Sequence, residues 1–198
     1  SQSLRLNAVA GSIDIQPFIP GDYTKGWDYG GFANTPVLKG GAVVLNANGD
    51  IRMSATKIEG LGVDVLAAGN LHIEGRTHWR PATSGSLAGY EGVVEKSVIK
   101  ATGALKLAAT QGTLVADAFD WTGVNVSISA GSNITLNSRS NYSLLTGTTT
   151  TVDRNWLSST TYTTYNHNES TRVVPSTVSG SSITLLAGDN LRSNSTVL

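Results

Sequence analysis

The chain has 198 residues, 14 basic and 14 acidic side chains, and no cysteine. A formal charge of zero without a basic run argues against nucleic-acid binding. No apolar stretch approaches the roughly 18 residues of a membrane-spanning helix, and the lack of cysteine excludes disulfides and thiolate chemistry. The length predicts a single domain over residues 1–198. The first residues contain no signal peptide, which indicates a fragment of a longer protein.

Small and hydroxylated residues take the place of the missing charges. The chain has 22 glycines, 23 threonines and 22 serines, whereas charged residues make up only 14% of it. Such residues favour turns and strands over helices, and no long stripe of apolar residues with helical spacing is present. The composition therefore predicts an all-β protein.

One short phrase occurs six times, with apolar residues alternating on either side of a small turn that contains glycine. The turn glycines are Gly11, Gly49, Gly69, Gly112, Gly131 and Gly188. Their spacings of 38, 20, 43, 19 and 57 residues lie close to multiples of about 20, and a fixed period of this kind is typical of solenoids. The alternation predicts short strands, and we expect the glycines to turn the chain through positive φ.

Two such strands and a weaker third segment in each period predict a parallel β-helix with about 20 residues per coil. Stacking at roughly 4.8 Å would give about nine or ten coils and a rod about 45 Å long. Asn133 and Asn190 follow equivalent turns, where we expect a stacked side-chain ladder. An antiparallel sandwich is the alternative, but only Asn48-Gly49 matches the two-residue turns that its hairpins require.

Three stretches interrupt the period. Residues 16–41 are aromatic and punctuated by Gly and Pro, which predicts a loop folded onto the rod or covering one end. Residues 76–97 predict an insertion between coils. Residues 142–179 are dominated by Thr and Ser and predict a long hairpin that leaves the rod, with low-complexity disorder as the alternative.

The predicted hairpin contains the candidate contact surface. Trp156, Tyr162 and Tyr165 are spaced along an otherwise polar segment. Trp and Tyr anchor protein interfaces and membrane interfaces because one part of each side chain is apolar and another is polar. We therefore expect this hairpin to contact whatever the protein binds.

Candidate catalytic and metal-binding groups are few. His72, Glu74 and His78 could begin a metal site, but such a site needs three or four ligands, and solvated surface is the preferred interpretation. Asp117 and Asp120 could act as a glycosidase pair, yet the acids of this chain are dispersed. No nucleophile elbow, phosphate-binding loop or calcium repeat is present in the sequence. We expect no enzyme activity, no metal and no cofactor.

Three segments share an Ala-Gly turn with an Asn one or two residues later: VDVLAAGNLHIEG, VSISAGSNITLNS and ITLLAGDNLRSNSTV. They resemble the haemagglutinin repeats of large bacterial two-partner-secretion exoproteins, namely the filamentous haemagglutinins and the contact-dependent growth-inhibition effectors. The resemblance spans most of residues 43–198. The Ser/Thr-rich stretch before the last repeat looks like the second, C-terminal class of repeats in these proteins.

The resemblance implies a right-handed parallel β-helix that is secreted through an outer-membrane transporter and displayed on a Gram-negative cell surface. It also implies contact with a target cell's outer membrane or a surface receptor there, and a role in carrying a toxin across. Self-association through uncapped β-helix ends is expected as well. An adhesin shaft that binds host glycans or proteins is the alternative, and a polysaccharide-degrading enzyme is a third.

Overall fold

The computed structural model describes residues 2–17 and 35–198, and these residues contain strands and connections but no helix. The strands in chain order are β1 (Leu4–Ala8), β2 (Ile13–Ile15), β3 (Val37–Ala47), β4 (Ile51–Ser54), β5 (Lys57–Ala67), β6 (Leu71–Glu74), β7 (Arg76–Ser84), β8 (Leu87–Glu95), β9 (Ser97–Ala101), β10 (Ala104–Ala109), β11 (Leu114–Asp117), β12 (Phe119–Thr122), β13 (Asn125–Ala130), β14 (Ile134–Asn137), β15 (Arg139–Arg154), β16 (Ser159–Val174), β17 (Ser176–Ser179), β18 (Ser182–Ala187), β19 (Leu191–Asn194) and β20 (Thr196–Val197). The protein is therefore all-β, as the composition predicts.

Sixteen of these strands form two parallel sheets, which together we call the body. In the larger sheet β5 is a branch point, because its residues 57–60 pair with β9 and its residues 63–67 pair with β10. The body thus has three columns of stacked strands. Column A holds β9, β12, β17, β20 and the first parts of β3 and β5; column B holds β1, β10, β13, β18 and the second parts of β3 and β5; column C holds β2, β4, β6, β11, β14 and β19.

The chain passes repeatedly through columns A, B and C, and each strand pairs in parallel with its equivalent in the neighbouring pass. In column C, Ile51 pairs with Leu71 and Leu114 pairs with Ile134, and the partners of each pair are one repeat period apart in the sequence. Leu71 and Leu114 are separated by twice that length and nevertheless pair directly, because a hairpin occupies the additional residues. The period predicted from the glycines is therefore the length of one pass.

The body is shorter than predicted. Column C contains six strands within the described residues, which at about 4.8 Å per strand places the first roughly 24 Å from the last. The prediction of nine or ten coils is wrong because the two longest spacings between turn glycines contain hairpins and no additional passes.

The first interruption differs from its predicted bounds. Residues 37–41 fall inside the predicted loop 16–41 but form the start of β3, where Leu38 pairs with Ile58 in column A. Exposed Val37 and Lys39 alternate with partly buried Leu38 and Gly40, which is the burial pattern of a strand. Residues 18–34 of the predicted loop lie outside the described residues.

The other two interruptions are antiparallel hairpins. The predicted insertion 76–97 contains β7 and β8, and Ser97 already belongs to β9. The predicted hairpin 142–179 corresponds to β15 and β16, which begin at Arg139 and end at Val174. The last predicted residues form β17 in column A, because Ser176 and Val178 face the core even though their segment is as hydroxyl-rich as the hairpin.

The core of the body is made by the inward positions of the three columns. Along most of their length, the strands alternate buried residues with partly or fully exposed ones, as period-two burial requires. Two aromatic residues in column A, Phe119 and Trp121, are fully buried, and their rings stack with centroids 4.0 Å apart. The largest fully buried aliphatic side chains are Leu45, Ile51, Met53, Ile58, Leu71, Ile73, Ile99, Leu105, Leu107 and Leu114.

Five of the six turn glycines, all except Gly11, are required by close packing between passes. Gly11 has a φ of 157°, whereas the other five turn glycines have negative φ, so the expected positive φ is found at Gly11 alone. Instead, a Cβ on Gly112 would lie 2.6 Å from the carbonyl oxygen of Gly69 in the preceding pass. A Cβ on Gly131 would lie 2.5 Å from the carbonyl oxygen of Thr110. Stacked turns leave no space for a side chain.

The residues after the turns form a hydrogen-bonded ladder along the stack. The Asn133 Oδ1 accepts hydrogen bonds from the backbone N–H of Asn190 at 3.2 Å and from its side-chain amide at 2.9 Å. Earlier in the stack, the Asn70 Oδ1 accepts from the N–H of Thr113 at 2.9 Å, and the Asp50 Oδ1 accepts from the N–H of Asn70 at 2.7 Å. The side chains thus satisfy backbone donors that the turn exposes.

Candidate functional site

Both hairpins leave the body at the same corner and join into one antiparallel sheet. This projecting sheet has the strand order β16-β15-β8-β7. The first hairpin follows the third strand of column C and the second follows the fifth, and both return to column A. Residues 142–146 of β15 pair with residues 88–92 of β8, so chain segments that are distant in the sequence build a common surface.

A buried serine closes the base of each hairpin. Ser97 is the first residue of the body after the first hairpin, and its hydroxyl donates to the carbonyl oxygen of Glu74 at 2.7 Å. Ser176 has the same position after the second hairpin and donates to the carbonyl oxygen of Asn137. Each hydroxyl therefore satisfies the carbonyl of the residue that ends column C before the hairpin departs.

Arg139, at the start of β15, joins the second hairpin to two earlier passes. Its Nε lies 2.7 Å from the Asp117 Oδ1, and a terminal nitrogen lies 3.2 Å from the Glu74 Oε2. A second contact to Asp117 makes this pair bidentate. Arg139 therefore fixes the direction in which the second hairpin leaves the body.

Three aromatic rings hold the two hairpins together. Trp79 and Tyr142 both lie opposite Gly92 in the register, and their rings meet edge-on with centroids 6.0 Å apart. Tyr90 completes the cluster, 5.5 Å from Trp79 and 6.4 Å from Tyr142. The indole ring lies over Gly92, where an added Cβ would come within 2.9 Å of it. We call this side of the projecting sheet the aromatic face.

The aromatic face perturbs one titratable group. Partial burial raises the pKa of Tyr142, and a hydrogen bond from its hydroxyl to the Glu169 carboxylate raises it further. Glu169 lies on β16, and its carboxylate is 3.7 Å from the His167 Nε2. Tyr142 therefore ties β15 to both of its neighbouring strands.

The turn between β15 and β16 presents the most exposed apolar residues of this sheet. The Asn155 side-chain oxygen accepts from the backbone N–H groups of Leu157 at 3.2 Å and Ser158 at 2.8 Å, and the Asn155 N–H donates to the Ser158 carbonyl at 2.9 Å. Such side-chain bonds replace a backbone turn. Trp156 is 90% exposed at the tip, and Leu157 beside it is 75% exposed.

The structure places Trp156, Tyr162 and Tyr165 on one hairpin but not on one surface. Tyr162 pairs with Thr151 and Tyr165 pairs with Thr148, and both tyrosines are more than half exposed. Their positions differ by an odd number, so in an alternating strand they point to opposite sides. Tyr165 lies on the aromatic face, Tyr162 lies on the other, and Trp156 lies at the tip between them.

Asp117 and Asp120 make contacts within the body. Within the described part of the chain, no three His, Cys, Asp or Glu side chains are placed to hold a metal ion. Asp117 is engaged by Arg139, and the Asp120 carboxylate accepts a hydrogen bond from the Thr177 hydroxyl at 2.6 Å. The two aspartates lie in different columns, Asp117 in C and Asp120 in A.

Sequence reasoning missed the aromatic cluster and Arg139. Trp79 and Tyr90 belong to one predicted insertion and Tyr142 to another, and pairing between them depends on tertiary register. One signal was present, because Gly92 follows Tyr90 in an alternating strand, and a glycine in a strand often marks the close approach of another group.

In comparisons with known proteins, no family model, no curated protein and no solved structure matches the chain. The described residues also contain no helix that is long and apolar enough to cross a membrane.

Proposed function

We propose that the parallel body is a right-handed β-helix and serves as the shaft of a secreted surface exoprotein. Direct parallel pairing of equivalent residues over successive passes supports a solenoid. Right-handed connections predominate between parallel strands of one sheet, which supports the hand. In this proposal the shaft has no enzymatic role and keeps the projecting sheet away from the rest of the protein.

The proposed context is contact-dependent growth inhibition by a Gram-negative bacterium. The chain would leave the producing cell through an outer-membrane transporter and then assist delivery of a toxin across the outer membrane of a target cell. The repeats of residues 63–75, 126–138 and 183–197 support this assignment by their similarity to the repeats of such exoproteins. A chain with few charges and no cysteine is also compatible with export in an extended form.

One observation carries the contact role: the second hairpin extends beyond the first and ends in an ordered turn that exposes Trp156. Among the described strands, β15 pairs beyond Thr146 only with β16, so the outer part of the ribbon projects alone. Exposed Trp and Leu side chains at such a tip can become buried in an interface. There, an anchor residue contributes about 2 kcal/mol or more to the binding free energy. Tyr162 adds a second aromatic group close to this tip.

The test is binding of the purified chain to outer-membrane vesicles and to Gram-negative cells. The double variant Trp156→Ala, Tyr162→Ala should keep the far-ultraviolet dichroism of the wild type, because both side chains are exposed. Its vesicle binding should fall at least about tenfold if the two anchors together contribute about 1.4 kcal/mol or more.

A matched control changes two hydroxyls on the same strand and the same side as Tyr162. The variant Thr160→Ala, Thr164→Ala should bind vesicles like the wild type, since both positions are exposed and carry no aromatic ring. If the aromatic double variant binds vesicles as strongly as the wild type does, the contact surface lies elsewhere in the molecule. A folded chain that binds neither vesicles nor cells would leave it a passive spacer.

An adhesin shaft that binds glycans is the second candidate, and the aromatic face favours it. Trp79, Tyr90 and Tyr142 lie side by side with partial exposure, which is compatible with stacking on a sugar. Trp121 is fully buried and cannot report such binding. Binding to vesicles stripped of their polysaccharide distinguishes the toxin-delivery role from the glycan-binding role, because only glycan binding requires the sugar. Glycan binding would also alter the fluorescence of Trp79.

A further inference from the structure

The projecting sheet has two free edges within the described residues, and they differ in how they are protected. The β7 edge is nine residues long and carries Arg76, Arg80 and a central proline, Pro81. Charges and proline are the usual means of preventing further strands from pairing with an edge. The β7 edge is therefore closed to additional strands.

The β16 edge has none of these protections. It is sixteen residues long and contains no proline, and its only fully charged side chains are Glu169 and Arg172. Its register with β15 is continuous from Arg139–Val174 to Arg154–Ser159, so no bulge interrupts it. A long, regular edge of this kind is a template for pairing with another strand.

The hairpin turn fixes which backbone groups of β16 face outward. The Asn155 N–H donates to the Ser158 carbonyl, so these residues form a hydrogen-bonded pair. Hydrogen-bonded and non-hydrogen-bonded pairs alternate along an antiparallel ladder. The even-numbered residues of β16 therefore bond to β15, and the odd-numbered residues from Ser159 to Val173 direct their N–H and C=O groups away from the sheet.

We propose that this edge pairs antiparallel with the same edge of a second copy of the chain, about a two-fold axis at Tyr165. Tyr165 of one copy then lies opposite Tyr165 of the other, and residues 159–171 of both copies form the added ladder. The result is a continuous eight-stranded antiparallel sheet between two bodies. A two-fold interface uses one patch twice, so one strand supplies both halves.

The charges on the hairpin favour this orientation. On the aromatic face the tip carries Arg154 and the base carries Glu169; on the opposite face the tip carries Asp153 and the base carries Arg172. Asp153, Arg154 and Arg172 form no ion pair with any described residue. Antiparallel pairing brings opposite charges near each other on both faces, whereas parallel pairing would bring like charges together.

The register at Tyr165 brings both pairs of opposite charges to a similar separation. Arg154 lies beside Ser159 in its own hairpin, and Ser159 would lie opposite Thr171, two residues from Glu169. Asp153 lies beside Thr160, which would lie opposite Ser170, two residues from Arg172. Because β16 lies between the two members of each pair, their Cα atoms are about 12 Å apart, so opposite charges attract across this distance without direct contact. A cross-strand tyrosine pair at the axis adds aromatic contact.

The first test uses the absence of cysteine from the chain. Oxidation of the variant Tyr165→Cys should give a disulfide-linked dimer, because facing residues of an antiparallel pair lie about 5.5 Å apart at Cα. Thr161→Cys is the matched control. It would face Glu169 of the other copy, which separates the two cysteines by about eight residues along the strand, or about 27 Å. Equal cross-linking of both variants, or none with Tyr165→Cys, would overturn the register.

The second test blocks the edge without disturbing the hairpin. Thr163→Pro removes an outward N–H that β15 does not use, so the dichroism should stay unchanged while self-association in sedimentation weakens at least about tenfold. Thr163→Ala keeps the donor and should associate like the wild type. A wild type that stays monomeric at all concentrations would refute the proposal. A dimer that persists in the proline variant would place self-association at the ends of the body instead.

Discussion

The body and the projecting sheet are both built from β-strands, but only the body encloses a core. Inward residues of its strands, such as Leu45, Val65 and Ile128, have no exposed surface. Strands β15 and β16 are instead rich in Ser and Thr, and both sides of their outer half face solvent. The difference lies in what stands opposite each strand: three columns face one another in the body, and no described strand faces the outer half of the hairpin.

The two regions meet at one corner, between columns C and A, which the chain forms in two ways. Three passes cross it through a single residue in the left-handed region: Ala55, Ala118 and Ser195, with φ of 43°, 44° and 55°. Two other passes extend a hairpin from it instead. A hairpin can replace a one-residue turn because its two ends lie one corner apart, so the body tolerates the insertion without shifting its register.

The largest expected effect lies in the body. Leu107 is fully buried in column B and pairs with Val65 and Ile128 on either side. Leu107→Ala should lower the free energy of unfolding by about 2–5 kcal/mol, because it leaves a cavity in a close-packed core. Urea denaturation followed by far-ultraviolet dichroism measures this loss. A loss below about 0.5 kcal/mol, the range of surface changes, would contradict a continuous core.

A smaller and local effect is expected in the projecting sheet. Trp79→Ala removes the ring that covers Gly92 and contacts Tyr90 and Tyr142, so amides of β7, β8 and the base of β15 should lose protection in hydrogen exchange. The body's unfolding free energy should change by less than about 0.5 kcal/mol.

Trp156→Ala is the matched control for this prediction, because it removes the same side chain from an exposed turn. Protection of the projecting sheet should stay at the wild-type level in that variant. If Trp79→Ala destabilised the body as strongly as Leu107→Ala does, the sheet and the body would be one cooperative unit, and their separation would be wrong.

Sequence alone predicts the body better than the projecting sheet, for a physical reason. Each pass repeats the same local pattern, and Gly69, Gly112 and Gly131 mark equivalent positions without knowledge of the three-dimensional contacts. The glycine pattern overestimates the number of passes because the interval from Gly69 to Gly112 looks like two periods whether a coil or a hairpin fills it. Only the register of Leu71 with Leu114 distinguishes the two.

The candidate site is predicted in its location but not in its arrangement. The Ser/Thr-rich composition with interspersed aromatics indicates a hairpin with Trp156 on it, and β15 and β16 form that hairpin. That Tyr162 and Tyr165 lie on opposite faces follows from their odd spacing once the strand is continuous. The cluster around Trp79 requires pairing between two insertions, which no local pattern encodes.

The smallest expected effect concerns the pH dependence of the projecting sheet. Burial and the bond to Glu169 raise the pKa of Tyr142 above its ordinary value of 10.0. In the folded sheet the phenol therefore stays protonated at pH values where an unfolded chain would ionise it. Its contribution to stability is complete below about pH 10 and is lost as the pH rises through the raised folded pKa.

The phenolate absorbance of the wild type and of Tyr142→Phe is titrated with pH, and the difference between the two curves isolates the ionisation of Tyr142. We expect this ionisation to have its midpoint above pH 10.0. Glu169→Gln is the matched variant. It removes the negative charge and leaves the partial burial, so the ionisation should move downward but remain above the ordinary value, since burial is the larger cause. Ionisation of Tyr142 at its ordinary pKa in the wild type would mean that water reaches the cluster freely. The two hairpins would then be joined by backbone pairing alone, in contrast to the packed interior of the body.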